Sequence, residues 1–241
     1  MVSLALMAVM GCMAAAGEGP IFEAVREGRL EEVRKLLAAD ARLVSARDIY
    51  GETPLHAAIR EQHDQIAELV VATGADVNVM SDVGSTPLML AADLGNVAMA
   101  RLLLDKGTNL DARGGHQVTA LHRAASCGKW DFADLLIARG ANIEARDESD
   151  RTPLHLALSA GRKEMARWLI LQGVAVNTST WGGKTPLHEA AALGDKELVQ
   201  LLLDKGAQVN APASRNEMPL DVASRGGHKE VAALLQKHGA T

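Results

Sequence analysis

Apolar residues recur along this chain as pairs of short clusters, each about two helical turns long. In one copy the first cluster contains Leu55, Ala57 and Ala58, and the second contains Ile66, Leu69 and Val70. Spacings of three and four residues place such side chains on one face of a helix, with polar residues on the other face. The pattern therefore predicts two short amphipathic helices in each copy.

The copies follow one another at a fixed interval. A Thr-Pro-Leu-His stretch, or an altered form of it, begins every 33 residues, at Thr53, Thr86, Thr119, Thr152, Thr185 and Met218. A constant period of this length indicates a repeat architecture, in which each unit has one apolar face that it buries against its neighbours.

Residues with strong local preferences mark the ends of the predicted helices. Asp48 and Gly51 are turn formers, Thr53 is predicted to cap the first helix, and Pro54 suits the first helical position. Glycines are predicted to end the first helix nine residues after the Thr, and the second helix twenty-one residues after it. They are Gly95, Gly128, Gly161, Gly194 and Gly227 for the first helix, and Gly74, Gly107, Gly140, Gly173, Gly206 and Gly239 for the second. An extended segment such as 75–78 then leads to the next turn.

A turn, two short helices and an extended return, with Thr-Pro-Leu-His at the first helix, resemble the ankyrin repeat. The resemblance covers about residues 19 to 241 and includes a degenerate copy around Pro20, Ala24 and Gly28. It implies an all-α fold, an ankyrin-repeat solenoid of helix-turn-helix units joined by short β-turn fingers. We expect residues 17–241 to form about seven repeats.

Several positions depart from the repeat pattern. Gln62 replaces a helix-ending glycine, Ala120 replaces the proline, and Met89 replaces the histidine. At the turn glycine position stand Gln117, Asp150 and Asn216. Because Asp and Asn tolerate the left-handed conformation better than most residues, we expect the most distorted turn at Gln117.

Composition narrows the function classes. Lys and Arg number 25 against 30 Asp and Glu, a net charge of −5, and no basic cluster occurs, which argues against a non-specific nucleic-acid binder. The two cysteines, Cys12 and Cys127, have no CxxC spacing, so neither a disulfide framework nor a zinc site is indicated. No phosphate loop or metal-spaced cluster is present, and we expect no cofactor and no metal.

Residues 1–16 contain no charged residue and are strongly apolar. The segment is too short for a membrane span but has the length of a signal-peptide apolar region, ending in the small residues 14–16. We therefore expect export to the periplasm, secretion or lipid anchoring, although no Lys or Arg precedes the apolar region. Residues 9–12 are loosely similar to a lipoprotein cleavage box, which makes Cys12 a candidate lipid anchor. The alternative is an apolar helix covering the first repeat of a cytoplasmic protein.

Four histidines recur at one repeat position: His56, His122, His155 and His188. Neighbouring repeats are about 10 Å apart, too far for imidazoles that share one metal ion at about 2 Å. The family resemblance implies instead that each ring hydrogen-bonds the backbone of a turn. The line of histidines is therefore interpreted as structural.

Cys127 is the only candidate nucleophile in the repeats. A catalytic thiol needs a nearby base, and the sequence nominates none beyond a weak candidate in His116. We interpret the chain as non-catalytic, with an enzyme using Cys127 as the less favoured alternative.

The resemblance also implies where a partner binds, because ankyrin arrays use their turn tips and the exposed, concave side of their first helices. Positions in that register are candidate partner-binding residues: Tyr50, Val83, Leu94, His116, Val118, Arg151, Trp181, Lys184 and Leu193. Exposed Trp and Tyr most often anchor interfaces, so Trp181 and Tyr50 are the strongest candidates. Trp168 and Trp130, by contrast, are expected to pack inside the array.

The sequence thus predicts a monomeric protein-protein interaction module with a protein partner of unknown identity. A dedicated inhibitor or immunity-type partner of one enzyme is the alternative within the binding class. The irregular tips and the apolar leader argue against a designed, consensus-derived array.

Overall fold

The computed structural model describes residues 19–241, which contain fourteen α-helices and no strand. In chain order the helices are α1 Pro20–Arg26, α2 Leu30–Ala39, α3 Pro54–Arg60, α4 Asp64–Ala72, α5 Pro87–Leu94, α6 Val97–Asp105, α7 Ala120–Cys127, α8 Trp130–Ala138, α9 Pro153–Ser159, α10 Lys163–Leu171, α11 Pro186–Leu193, α12 Lys196–Asp204, α13 Pro219–Arg225 and α14 Lys229–Lys237. Short 3-10 turns occupy Ala41–Ser45, Gly115–Gln117 and Ser214–Asn216. The predicted all-α class and the paired helices are confirmed. The leader, with its export and Cys12 hypotheses, lies outside the described residues.

The described residues divide into two compact units. One contains residues 19–91 and 101–108, and the other contains residues 92–100 and 109–241. Within the first unit α1 packs on α3 and α2 on α4, while in the second unit α7, α9, α11 and α13 pack in succession. Within residues 19–241 no helix is both long enough and apolar enough to cross a membrane.

Each unit has a core of small and branched apolar side chains from the facing sides of the helices. Leu55, Ala58 and Val70 are fully buried in the first unit, and Leu154 and Leu187 are buried in the second. Alanine at the helix contacts allows the backbones to approach closely, so a core can form with few aromatic residues. Apolar burial between neighbouring helix pairs therefore supplies most of the stability.

The recurring Thr and His form a capping box at the start of the first helix. In one copy Nδ1 of His56 accepts hydrogen bonds from the backbone N–H of Thr53 at 3.2 Å and from its hydroxyl at 2.9 Å. The other ring nitrogen, Nε2, donates to the carbonyl of Ser85 in the next turn at 3.0 Å. His122 and His188 make the same bonds to Arg151 and Glu217. The predicted structural role of these histidines is confirmed.

His155 makes only half of this arrangement. Its Nδ1 accepts from Thr152 at 3.2 Å, but its buried Nε2 has no hydrogen-bond partner in the described part of the chain. The backbones of Lys184 and Thr178 raise the pKa of the ring, against the larger effect of burial. Burial lowers the pKa of His155 to about 4.

Asparagines after the second helix join neighbouring repeats at a second place. The side-chain amides of Asn177 and Asn210 donate to the carbonyls of Gly206 and Gly239, both at 2.9 Å. The side-chain oxygen of Asn177 also accepts from the backbone N–H of Gln208 at 2.8 Å. The sequence predicted only an extended segment here, whereas the structure shows asparagine side chains that hydrogen-bond the loop of the next repeat.

Turn tips are joined by backbone hydrogen bonds within each unit. The N–H of Asp82 donates to the carbonyl of Tyr50 at 3.0 Å, and that of Trp181 donates to the carbonyl of Ser149 at 2.9 Å. Equivalent bonds join Glu148 to His116 and Ser214 to Gly182. Within a unit, these bonds fix the position of one tip relative to the next.

Two turns differ from the others. At Gln117 and at Asn216 two successive residues have positive φ, because His116 and Arg215 join them in the left-handed region. The distortion expected at Gln117 is confirmed, but the equal distortion at Asn216 was not expected.

The residue that opens each turn explains this difference. The regular turns open with a side-chain acceptor, such as Asp48, whose carboxylate accepts from the backbone N–H of Tyr50 and Glu52 at 2.9 Å. The two altered turns open with Gly114 and Ala213, which have no such acceptor. Without an Asx or Ser/Thr turn to hold it, the backbone adopts a different turn.

At the end of α11, Gly194 is required for two reasons. Its φ is +66°, and a Cβ atom there would overlap the ring of His228 from the next repeat. That ring bonds the carbonyl of Ala192 at 3.0 Å, which satisfies one of the carbonyls at the end of α11. His63 and Arg162 make the corresponding bonds to Arg26 and Ser126.

Two tryptophans differ from their expected burial. Trp130 is 57% exposed, so its predicted packing between repeats is wrong. It is the first residue of α8, where the side chain lies beside solvent and Phe132 occupies the buried face instead. Trp168 is half-buried, because Met165, Leu169 and their buried neighbours fill the inner face of α10.

We expect His155 to make the free energy of unfolding depend on pH. Its pKa is about 4 when folded, against an ordinary value of 6.5, so the unfolded chain takes up the proton first as the pH falls. Stability is complete above about pH 6.5, and about 2 kcal/mol of it should be lost between pH 7 and pH 5. Urea unfolding at the two pH values measures this loss.

The matched variant is His155→Met, because Met89 occupies the same repeat position and is buried. The difference between the parent and this variant isolates His155 from the other titrating groups. His155→Met should lose about 2 kcal/mol less than the parent on acidification. An unchanged pH dependence in this variant would contradict the assignment.

Candidate partner-binding surface

Exposed apolar side chains cluster at two neighbouring tips of the first unit. Ile49 is 65% exposed and Val83 69%, and Tyr50 beside Ile49 is also exposed. The hydrogen bond from Asp82 to Tyr50 joins the two tips, so the structure brings Tyr50 and Val83 onto adjacent turns. This group, Ile49, Tyr50 and Val83, is called the apolar tip pair below.

Trp181 is the most exposed large apolar residue among those described, at 89%. Its backbone N–H donates a hydrogen bond to the carbonyl of Ser149. Two residues later, Gly183 adopts a φ of +75° in the turn. The side chain does not cover a neighbouring turn, so a packing role for Trp181 is not supported. A rigid backbone therefore presents an indole ring to solvent in the second unit.

The remaining tip candidates have polar partners or partial burial. His116 is exposed and its ring pairs with the carboxylate of Glu148 on the next tip. Arg151 bonds the buried carboxylate of Asp147 at 2.7 Å, so part of its donor capacity serves the turn itself. Lys184 is exposed, whereas Val118 is half-buried.

The two leucine candidates are less accessible than the sequence indicated. Leu193 and Leu94 are both half-buried, at the ends of α11 and α5. A methyl group of Leu193 lies over Gly161 of the preceding repeat. Leu193 therefore belongs partly to the junction between repeats. Leu94 lies in the second unit, apart from the apolar tip pair of the first.

Two repeats carry an ion pair between the turn and the first helix. Glu52, just before the N-cap Thr53, pairs with Arg60 at the end of α3, and Glu217 pairs with Arg225 at the end of α13. Both pairs span eight residues and fix a basic side chain beside the tip. The sequence analysis did not identify these ion pairs, because the recurring Glu and Arg positions become apparent only when the repeats are aligned.

Cys127 lies in a small polar cluster with Asp93 and Arg123. The thiol donates to the Asp93 carboxylate at 3.8 Å, and Arg123 lies 3.4 Å from the same carboxylate. Burial and the negative charge of Asp93 raise the pKa of the Cys127 thiol. The thiolate is the nucleophilic form, so this environment disfavours nucleophilic chemistry. The ring of His116 pairs with Glu148, whereas the thiol of Cys127 bonds Asp93.

Glu189 is an unusual carboxylate that the sequence analysis did not single out. It lies in α11, and its Oε2 atom is buried without a hydrogen-bond partner in residues 19–241. Burial raises the pKa of Glu189 to about 7, while the charges of Lys184 and Arg151 act in the opposite direction. The sequence indicates its unusual character by alignment of the repeats, because Leu156 and Val222 occupy the same position in the neighbouring copies.

The described residues contain no group of three or more His, Cys, Asp or Glu side chains that could hold a metal ion. The four aligned histidines are committed to their capping boxes.

We expect Cys127 to react slowly with alkylating reagents. Its raised pKa leaves little thiolate near neutral pH, so iodoacetamide should modify it several-fold more slowly in the folded protein than in urea. Asp93→Asn removes the neighbouring charge and should increase the rate in the folded protein. Peptide mapping by mass spectrometry separates Cys127 from Cys12. Faster reaction in the folded parent than in urea would contradict the assignment.

We expect Trp181→Ala to leave the fold intact. An 89% exposed side chain removes little buried area on truncation, so the free energy of unfolding should change by less than about 1 kcal/mol. Leu187→Ala in the same repeat is the comparison, because that side chain is fully buried and should cost about 2 to 5 kcal/mol. Urea unfolding of both variants gives the two values. A comparable loss in both would mean that Trp181 is a packing residue.

Comparisons with known proteins agree with this architecture. A family model described as "Ankyrin repeats (3 copies)" matches residues 2–81, 73–147, 144–213 and 182–241. The crystal structure of the human ASB11 ankyrin repeat domain is similar, with a TM-score of 0.79 and 28% sequence identity, covering 93% of this chain and 99% of that domain. A search of curated protein sequences found no match. The family matches span almost the whole sequence, and the chain therefore belongs to the ankyrin-repeat family.

Proposed function

We propose that this protein is a non-catalytic protein-protein interaction module. Ankyrin repeats generally mediate such interactions, which makes a protein partner the expectation for this chain. The proposed contact surface consists of the turn tips and the exposed side of the first helices, the concave side in arrays of this family. The observation that carries the proposal is the 89% exposure of Trp181 on a backbone that is hydrogen-bonded to the preceding turn.

Energetic arguments support these tips as the contact points. Large aromatic side chains contribute most to many interfaces, because they bury much area at the cost of few rotatable bonds. The hydrogen bonds between tips pre-organise their backbones, so binding orders little of the chain. Trp181 in the second unit and the apolar tip pair in the first therefore combine exposed apolar area with a low ordering cost.

Polar features of the same surface favour recognition over catalysis. Arg60, Arg225 and Arg123, all on first helices, are each paired with a carboxylate. Such pairs fix the positions of charges that could confer specificity and fast association. The raised pKa of Cys127 disfavours the alternative of an enzyme that uses this thiol.

The test is capture of a partner from an extract of the source cells with the full chain as bait. We expect Trp181→Ala/Tyr50→Ala to lose the captured partner, because both anchors are removed while the fold is retained. Affinity, measured with the purified partner, should fall by about 100-fold or more if each anchor contributes at least 1.4 kcal/mol.

Trp130→Ala is the matched control, since it removes another exposed tryptophan from a second helix outside the proposed surface. It should bind the partner as the parent does. Equal binding by the double variant would place the interface elsewhere on the protein. Absence of any specific partner for the parent would count against the interaction role itself.

A further inference from the structure

Glu189 occupies an unusual position for a carboxylate. The same repeat position holds Leu156 in the preceding repeat and Val222 in the following one, and α11 packs between α9 and α13. The Oε2 atom of Glu189 is buried and has no hydrogen-bond partner in the described part of the chain. An ionised oxygen without a partner in such surroundings is destabilising, because it has lost its hydration without compensation.

The charged groups around Glu189 do not compensate for this loss. Lys184 and Arg151 lower its pKa through space, but neither makes a hydrogen bond to it. Arg151 is held by Asp147 at 2.7 Å, and Lys184 is exposed on the tip.

Groups on the helices packed against α11 have other partners or are neutral. His155 on α9 and His188 on α11 are buried, and burial lowers the pKa of both rings. On α13, Arg225 pairs with Glu217 and Asp221 accepts from the backbone of Met218. On α12, Lys196 pairs with Glu230. No cation within the second unit satisfies Glu189.

Glu189 as a whole residue is half-buried, so part of its side chain reaches the surface. The exposed ends of α9 and α11 carry the small residues Ser159, Ala160 and Ala192. Trp181 stands at the tip of the same repeat, three residues before Lys184. An exposed indole can contact the methylene stem of a long basic side chain or the face of its cationic group.

We propose that Glu189 anchors a lysine or arginine side chain from an extended segment of the partner protein. This inference rests on the proposed function and specifies the chemistry of the partner at that surface. The cationic group donates a charge-assisted hydrogen bond to the Glu189 carboxylate, which is stronger than a bond from a neutral donor. The net charge of −5 favours approach of a basic segment. The overall charge and the Glu189 carboxylate therefore both favour a cationic side chain on the partner.

The proposal makes binding depend on pH in a defined direction. In the unbound protein the pKa of Glu189 is about 7, so near pH 6 most molecules carry a neutral carboxyl group. The cationic side chain binds the ionised form, so affinity should increase with pH. With a pKa of about 7, the ionised fraction increases about tenfold between pH 6 and pH 8, and affinity should follow it.

The experiment is selection of short peptides from a random phage-displayed library on the full chain. We expect the selected peptides to share a Lys or Arg at one position. Peptides without histidine are then synthesised, and their affinities are measured by fluorescence polarisation at pH 6 and pH 8. Replacing the shared basic residue with glutamine should lower affinity about tenfold or more at pH 8.

Protein variants identify the carboxylate responsible. Glu189→Gln should lower affinity about tenfold at pH 8 and remove the dependence on pH, while circular dichroism confirms that the variant is folded. Glu164→Gln is the matched control, because it removes the same charge from an exposed position on α10. It retains every histidine of the parent and should keep both the affinity and the pH dependence.

The outcomes separate this inference from the proposed function. Peptides that lack a shared basic residue, or that bind Glu189→Gln as well as the parent, overturn the inference. If such peptides still lose affinity to Trp181→Ala, the interaction surface stands and only its chemistry is wrong. If no peptide is selected, or binding is indifferent to both Trp181→Ala and Glu189→Gln, both proposals fail at this surface.

Discussion

Helices of seven to ten residues cannot satisfy their own ends, and this constraint governs the whole structure. Each α-helix leaves four N–H groups and four carbonyls without partners inside the helix, which in α3 or α11 is a large share of the backbone. Nδ1 of His56 serves the start of its own helix, and Nε2 serves a carbonyl in the next turn. His228 serves the end of the helix in the preceding repeat. One repeat is therefore incomplete without its neighbour.

The same constraint separates residues that build the protein from residues available for binding. Thr, His and Asn at the periodic positions are occupied by contacts within or between repeats, apart from Nε2 of His155. The tips need little from their side chains once a backbone bond such as Asp82 to Tyr50 has fixed them. Tyr50 and Trp181 can therefore remain exposed without weakening the fold. Because other contacts hold the repeats together, the side chains at the tips can vary without weakening the fold.

Asp93 and Glu189 show how similar groups acquire different roles. Burial raises the pKa of both carboxyl groups. Asp93 is compensated by Arg123 and the thiol of Cys127, and in turn it suppresses the reactivity of that thiol. Glu189 lacks such compensation, and it lies between repeat positions filled by apolar residues. The difference arises from which side chains the adjoining repeats place beside each carboxylate.

The sequence by itself determined the repeat, its period and the ends of most helices. These follow from local chemistry: Thr before Pro starts a helix, glycine ends one, and a constant spacing brings equivalent positions into register. The resemblance to ankyrin repeats implied the role of the histidines. It also indicated the exposure of Tyr50, Val83 and Trp181, because tip positions project away from the helix contacts.

Only the tertiary structure decided the properties that depend on neighbours distant along the chain. Trp130 is exposed because its position in α8 directs it away from the core, which apolarity alone does not reveal. Leu193 is half-buried because it lies over Gly161. The altered turn at Asn216 follows from Ala213, and the burial of Oε2 of Glu189 follows from the packing of three helices. Burial and hydrogen-bond satisfaction depend on contacts between repeats, so the sequence of a single repeat does not determine them.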